Sequence, residues 1–344
     1  NHNMAFTAIS HTKSIFFYTL YALSSVCMTI FNKKVMQEYS YPRILLIAQN
    51  IASVLFLYGG SKFVVPYFLA KGTDNEKKAP LDAGPSSSAD ATPFAEILSE
   101  YFHMKPFALE HLYYCIPITF TFLFMLLSSL RALTLVSVAT VVVFRNVATL
   151  FVAVGDYFLF EKKFVKTQIV ALLIIAVGAL VYAYNDMEAT MEGYIWVTLN
   201  TFAVILNSLI EKYVTVNINQ TAVGISCYQN TLGTIVLLLF VTFTNGWGTS
   251  IEDFSKITPS GQFMFLLTCV FGTTIGIAYF SLNKFESPTS ITVAGNMNKF
   301  VSVVVSYFVF STIITLQSSI GLIICISGGM YYSIASIQAR EAQG

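Results

Sequence analysis

Apolar residues in this chain come in unbroken stretches of roughly twenty, separated by short polar turns, with no alternation along most of the length. A helix rising 1.5 Å per residue needs about 20 such residues to cross a hydrocarbon layer of about 30 Å. The pattern predicts spans at about 14–36, 43–69, 111–131, 136–160, 165–184, 191–213, 221–243, 260–283, 287–310 and 315–337. Backbone polar groups inside lipid can bond only within their own segment or to a closed neighbour, and the run lengths suit helices. The expected fold class is therefore all-α integral membrane, with ten transmembrane helices. One interval breaks the rhythm. Lys71–Glu110, with its core GTDNEKKAPLDAGPSSSADATP, is rich in Gly, Pro, Ser and charge and reads as a disordered loop, 71–110.

Composition agrees and narrows the class. Of 344 residues 55% are hydrophobic and 11% charged, too little charge to cover a soluble domain of this size. A net charge of +1 gives no electrostatic footing for a nucleic-acid partner, and none is expected. Cys27, Cys115, Cys227, Cys269 and Cys325 fall inside apolar runs without ligand or disulfide spacing. The four histidines lie outside the spans or at their edges, so neither metal nor cofactor is expected. The first apolar run follows Lys13 and shows no small-residue cleavage site, so it is expected to stay as the first span. Lys and Arg are concentrated in loops on the side of the termini; the other side has Lys33, Lys34, Arg43, Arg131 and Lys256. By the positive-inside rule both termini face the cytosol. The sequon Asn219-Gln-Thr221 then faces the cytosol too, where it stays unmodified.

A repeat emerges when the chain is slid by 150 residues. The pairs Ser137/Ser287, Val143/Val293, Asn146/Asn296, Tyr157/Tyr307, Gly178/Gly328 and Tyr182/Tyr332 then coincide without a gap. An offset of five spans inserts the second copy upside down, giving two inverted five-helix repeats, 1–184 and 185–344. Inverted repeats mark secondary transporters whose solute site lies near the midplane.

Polar residues inside the spans supply the chemistry. Lys299 sits in the middle of 287–310, flanked by Asn296 and Asn298, roughly 17 Å from either end and beyond a snorkelling stem. A mid-bilayer ammonium costs at least about 3 kcal/mol, so it needs an internal partner or a wet cavity holding an anion. The offset places Arg145 opposite Gly295, one turn from Lys299, so each repeat offers one cation at nearly equal depth. Together they could bracket a diphosphate: guanidinium binds phosphate as a fork, ammonium as a point charge. Asp156, three turns from Arg145, reads as structural. Tyr228-Gln229-Asn230 interrupts the seventh span with two amides, suited either to interhelical bonding or to a nucleobase edge. Tyr21 and Asn32-Lys33 are weaker candidates, since such residues are ordinary interfacial anchors.

These residues also carry a likeness. YALSSVCMTIFNK (21–33), FRNVATLFVAVGD (144–156), CYQN (227–230) and GNMNK (295–299) resemble conserved segments of the nucleotide-sugar transporters in the drug/metabolite transporter superfamily, nearest the Golgi GDP-mannose transporters. CYQN stands where that family has Phe-Tyr-Asn-Asn, and GNMNK where it has Gly-Ala-Leu-Asn-Lys. Gln229, Asn296-Met297 and Ile291 depart from its pattern. The resemblance implies a carrier and not an enzyme. Its substrate-binding set would be Tyr21, Arg145, Asn146, Tyr228, Gln229, Asn230, Gly295, Asn298 and Lys299, with the amides on the base and Asn298 and Lys299 on the sugar and diphosphate. The implied partners are a nucleotide sugar, a nucleoside monophosphate and the lipid bilayer, with homodimerisation left open. The implied activity is Golgi antiport of a GDP-sugar, GDP-mannose foremost, into the lumen against GMP by alternating access. A UDP-sugar carrier of the same fold is the alternative. A polytopic glycosyltransferase is disfavoured because the spans offer no carboxylate pair or nucleophile–base set.

Overall fold

The computed structural model describes residues 2–39, 41–64, 104–136, 138–183, 190–248, 250–310 and 316–341. The regular elements among them are helical: α1 (His2–Glu38), α2 (Pro42–Gly59) with a π turn over Gly60–Val64, and α3 (Leu109–Leu135). There follow α4 (Val138–Phe160), α5 (Lys166–Ala183), α6 (Met191–Asn217), α7 (Ala222–Phe243), α8 (Ser250–Ser255), α9 (Pro259–Phe285), α10 (Pro288–Phe310) and α11 (Leu316–Glu341). Eight of them, α1–α4, α6, α7, α9 and α11, contain stretches long and apolar enough to cross a membrane; α5 is apolar but shorter. The chain is an all-α membrane protein.

Helix ends fall within a few residues of the predicted spans, with four differences, the first being that α1 begins at His2 and not near 14. The second span leaves α geometry at Gly59, and the short α8 was not predicted. Of the loop expected over 71–110, residues 71–103 lie outside those described, whereas 104–108 is held in place. There Ser61 Oγ accepts from Met104 N (2.9 Å), Gln220 Oε1 accepts from Lys105 N (2.9 Å), and the Tyr228 hydroxyl accepts from Ala108 N (3.1 Å). A segment with so many backbone ties is ordered.

The chain divides into two compact units, one of residues 1–30, 117–216 and 282–344, the other of 31–116 and 217–281. The first unit is built on a glycine seam between α5 and α11. A Cβ on Gly178 would meet the Cys325 backbone nitrogen at 2.7 Å, and one on Gly328 the Ile175 nitrogen at 3.1 Å. The contacts are reciprocal. Gly178 meets Ile324 and Cys325, and Gly328 meets Ile174 and Ile175, residues 150 positions apart in each case. Gly321 lies hard against the backbone of Tyr182. Small residues let membrane helices pack backbone to backbone, since burial from water is no longer a driving force. Gly321→Ala should therefore force the pair apart at a cost of about 1–3 kcal/mol. A thermal melt of the purified protein equal to that of the parent would refute it.

The same unit clamps the turn between α9 and α10 from both sides. Lys212 Nζ on α6 donates to the carbonyls of Asn283 (2.6 Å) and Glu286 (2.7 Å), closing the α9 C-terminus. Asp156 Oδ2 on α4 accepts from Thr289 N (3.3 Å) and Oγ1 (2.7 Å), capping the first turn of α10. Both placements match the helix dipoles, cation at the carboxyl end and anion at the amino end. The buried Glu286 accepts from Ser14 Oγ (2.9 Å), which adds α1.

The second unit has an aromatic cluster of Tyr39, Tyr41, Phe254 and Phe265 over Val35, Leu45 and Ile257. Glu38 Oε2 accepts from Thr258 N (3.1 Å) and Oγ1 (2.8 Å) at the head of α9. Thr221 of the sequon caps α7, its hydroxyl accepting from Gly224 N at 3.1 Å, and Asn219 Oδ1 accepts from Lys105 Nζ. The Asn-Gln-Thr run thus serves as a turn and helix cap.

Candidate functional site

In the first unit α1, α4 and α10 bring the predicted cationic residues into one neighbourhood. Arg145 is half-buried in α4; its Nη2 reaches Ser129 Oγ on α3 at 3.3 Å, and its electrostatic neighbour is the Tyr21 hydroxyl. That hydroxyl lies 3.0 Å from where a Cβ on Gly295 would sit, and within electrostatic reach of Glu211 on α6. The absence of a side chain at Gly295 leaves room for Tyr21, so the space beside the glycine is already lined by an oxygen. Lys299 stands four residues on, about 40° around α10 from Gly295 at about 100° per residue. It is exposed, while the outward Val301 lies on the far side of the helix. Among the described residues neither Arg145 nor Lys299 is seen to pair with a carboxylate, unlike Arg131 with Glu192 and Lys256 with Asp253, both 2.8 Å. A guanidinium and an ammonium with no carboxylate in direct contact are costly within a membrane unless water or an anion attends them.

The asparagines beside them divide in role. Asn296 Nδ2 donates to Thr149 Oγ1 on α4 (2.9 Å), and that threonine donates to the Arg145 carbonyl (3.1 Å), so α10 is tied to α4 at the arginine. Asn298 is buried and its Nδ2 has no hydrogen-bond partner. Asn146 is buried against its neighbours, 3% exposed.

In the second unit the three consecutive polar residues of α7 separate. Tyr228 is 6% exposed; beyond accepting from Ala108 N, its hydroxyl lies 3.5 Å from His111 Nδ1 and its ring packs on Phe107 at 5.4 Å. It anchors the strap before α3. Asn230 Nδ2 turns back on its own helix, donating to Ser226 O (2.7 Å) and Oγ (3.2 Å). Gln229 has a buried Nε2 with no partner. The remaining acceptor of Asn230 and the amide of Gln229 are the groups free for a ligand.

Sequence reasoning missed several residues. Glu211, 3% exposed within α6, joins Asp156, read from the sequence as structural, and Glu286 in the turn before α10 as a buried carboxylate. Near a span's end a Glu-Lys pair resembles an interfacial anchor, and only the longer helix draws it inward. Gln49 and Asn50 on α2 are also buried, and their signal was available: two adjacent amides in an apolar run, as at 229–230. Asp156 is spent on the head of α10 and Glu286 on the Ser14 hydroxyl, and among the described residues no group of His, Cys, Asp and Glu could hold a metal.

The chain is similar to known proteins. A GDP-mannose transporter of Arabidopsis thaliana, GONST3, is 28% identical over 236 residues, 66% of this chain and 62% of that protein, so the match spans under two thirds of its length. GDP-fucose transporter 1 of the same organism is 23% identical over 322 residues, 91% of this chain and 83% of the relative. Its UDP-N-acetylglucosamine transporter UGNT1 is 21% identical over 329 residues, 93% and 87%. A solved crystal structure shares the fold, with TM-score 0.62 and 11% identity over 97% of this chain and 99% of its own. The profile of one family runs through residues 93–336, from the strap before α3 to α11, taking in α4, α7 and α10 with all the residues above except those of α1 and α2. On that match the chain belongs to the UAA transporter family.

Proposed function

We propose that the protein is a Golgi nucleotide-sugar antiporter that takes a GDP-sugar, GDP-mannose foremost, into the lumen in exchange for GMP by alternating access. The observation that carries this reading is the pair of intramembrane cations, Arg145 beside Tyr21 and Lys299 beside Gly295, neither matched by a carboxylate among the described residues. Phosphate oxygens are the chemistry that satisfies a guanidinium and an ammonium together. In this assignment Arg145, Asn298 and Lys299 serve the sugar-diphosphate end, Tyr21 and Gly295 shape its space, and Gln229 and Asn230 serve the base. Asn146 supports Arg145, and Tyr228 holds the turn that presents the amides. The relatives that act on GDP-mannose and GDP-fucose support guanine.

The carrier is read as ten spans in two inverted five-helix repeats, with both termini cytosolic. The reciprocal glycine contacts of α5 and α11, 150 residues apart, support the repeat. Empty, its cations are expensive to carry across, so the unloaded form reorients poorly and exchange prevails over net flow. Proteoliposomes preloaded with GMP should take up labelled GDP-mannose several-fold faster than empty ones; uptake indifferent to preloading would overturn the antiport reading. A UDP-sugar is the second reading, favoured by Gln229 and by the relative that acts on UDP-N-acetylglucosamine. Faster exchange with preloaded UMP than with GMP would establish it.

A further inference from the structure

Gln-Asn occurs twice in this chain within apolar spans, at 49–50 and at 229–230. The two dipeptides lie on α2 and α7, which pack on one another within the second unit. On α2 the outward positions are Ile51, Leu55, Phe56 and Tyr58, all exposed, while Gln49, Asn50, Ser53 and Leu57 are buried. The inward polar residues are not alike. Gln49 Nε2 donates to Asn32 Oδ1 at 3.0 Å, and Ser53 Oγ bonds Thr273 Oγ1 at 2.8 Å. Both bonds join helices and leave little for a ligand.

Asn50 differs. It is 8% exposed, and no hydrogen bond holds its carboxamide among the described residues. Its Nδ2 lies 3.3 Å from where a Cβ on Gly233 would sit. Gly233 is about one turn from Asn230, on the face of α7 that leads back to it. So Asn50 reaches α7 beside the Gln229–Asn230 pair, where Gln229 Nε2 is likewise buried without a partner. A buried amide with nothing to bond costs about 1–3 kcal/mol. Gln229 Nε2 is such a group, and with the spare acceptor of Asn230 and the carboxamide of Asn50 close by it suits an occupant that presents donors and acceptors side by side.

We propose that Asn50 is a further specificity-determining residue, reading the edge of a nucleobase from α2 while Gln229 and Asn230 read it from α7. The proposal rests on the nucleotide-sugar reading above. A carboxamide offers one acceptor and two donors in a plane, matching the edge of a planar base bearing a carbonyl beside an N–H. A Cβ on Gly233 would nudge that amide by a few tenths of an ångström.

The experiment is binding of GMP, UMP and guanosine to the full chain, by thermal shift and by displacement of labelled GMP. Asn50→Ala should weaken GMP about tenfold or more and collapse the preference between GMP and UMP, with the ligand-free melting temperature unchanged or raised. Guanosine, which lacks phosphate, should be weakened in parallel. Asn50→Asp keeps the shape and replaces a donor by an acceptor, so it should shift base preference even if the alanine variant folds poorly. Gly233→Ala should give a milder loss in the same direction. Affinity for GMP within twofold of the parent, or an equal loss for GMP and UMP with the preference intact, would reduce Asn50 to packing and overturn the proposal. Should the parent itself bind neither nucleotide, the nucleotide reading fails, and this one with it.

Discussion

Lys299→Ala should lower affinity for GDP-mannose and GMP together by about thirtyfold or more, while the ligand-free protein melts no lower than the parent. Removing one side of a desolvated charge pair costs about 2–5 kcal/mol, which at about 1.4 kcal/mol per decade is some thirtyfold upward. The asymmetry between the two readouts is the informative part. Lys299 is exposed on the Gly295 side of α10 with no carboxylate beside it, so within the protein it contributes cost and no bond. A lysine that only held helices together would lower the melting temperature and leave the ligands alone. Lys299→Arg should recover part of the loss, because it keeps the charge but offers a planar fork in place of a point. Guanosine should be indifferent to both changes, since it has no phosphate. Undiminished nucleotide affinity in the alanine variant would remove Lys299 from the site.

The second large effect is structural. Asp156→Ala should destabilise the protein by about 3 kcal/mol. A lost N-cap accounts for about 1 kcal/mol, and the stranded hydroxyl and N–H of Thr289 add the cost of buried groups left unpaired. Asp156 is fully buried, so water cannot replace it without opening the packing. Asp156→Asn keeps an oxygen for Thr289 and should lose less. Thr289→Val should cost a comparable amount, and the double variant distinctly less than the sum, as expected of residues that share one interaction. Additive losses, or an Asp156→Ala protein that melts with the parent, would sever the proposed cap. Nucleotide affinity should fall as well, since α10 carries Gly295, Asn298 and Lys299 downstream of that cap.

What the sequence made legible followed from length. Hydrophobic runs of about 20 residues permit little besides helices, and predicted ends at 160, 243 and 310 coincide with those of α4, α7 and α10. Arg145 and Lys299 were legible because a charge in mid-span has no ordinary explanation. Glu211 and Lys212 were not, because α6 runs to Asn217 and carries inward two residues that look interfacial in one dimension. Tyr228 was read with its neighbours as one motif. A helix turns about 100° per residue, so adjacent side chains face different partners, and this one faces the strap at 104–111. Gln49 and Asn50 carried the same adjacent-amide signal as 229–230, and only burial and bonding then separate the two.

The glycine seam of α5 and α11 carries a consequence for how such a carrier moves. Helices usually shift past one another when side-chain knobs hop from hole to hole. Here Ile324 and Cys325 sit in the notch that Gly178 leaves, and Ile174 and Ile175 in that of Gly328. Main chain meets main chain at Gly321, and α5 has no other glycine to receive the α11 pair. Such a joint has no second notch to fall into. It works as a keel, and any transport stroke must leave it whole.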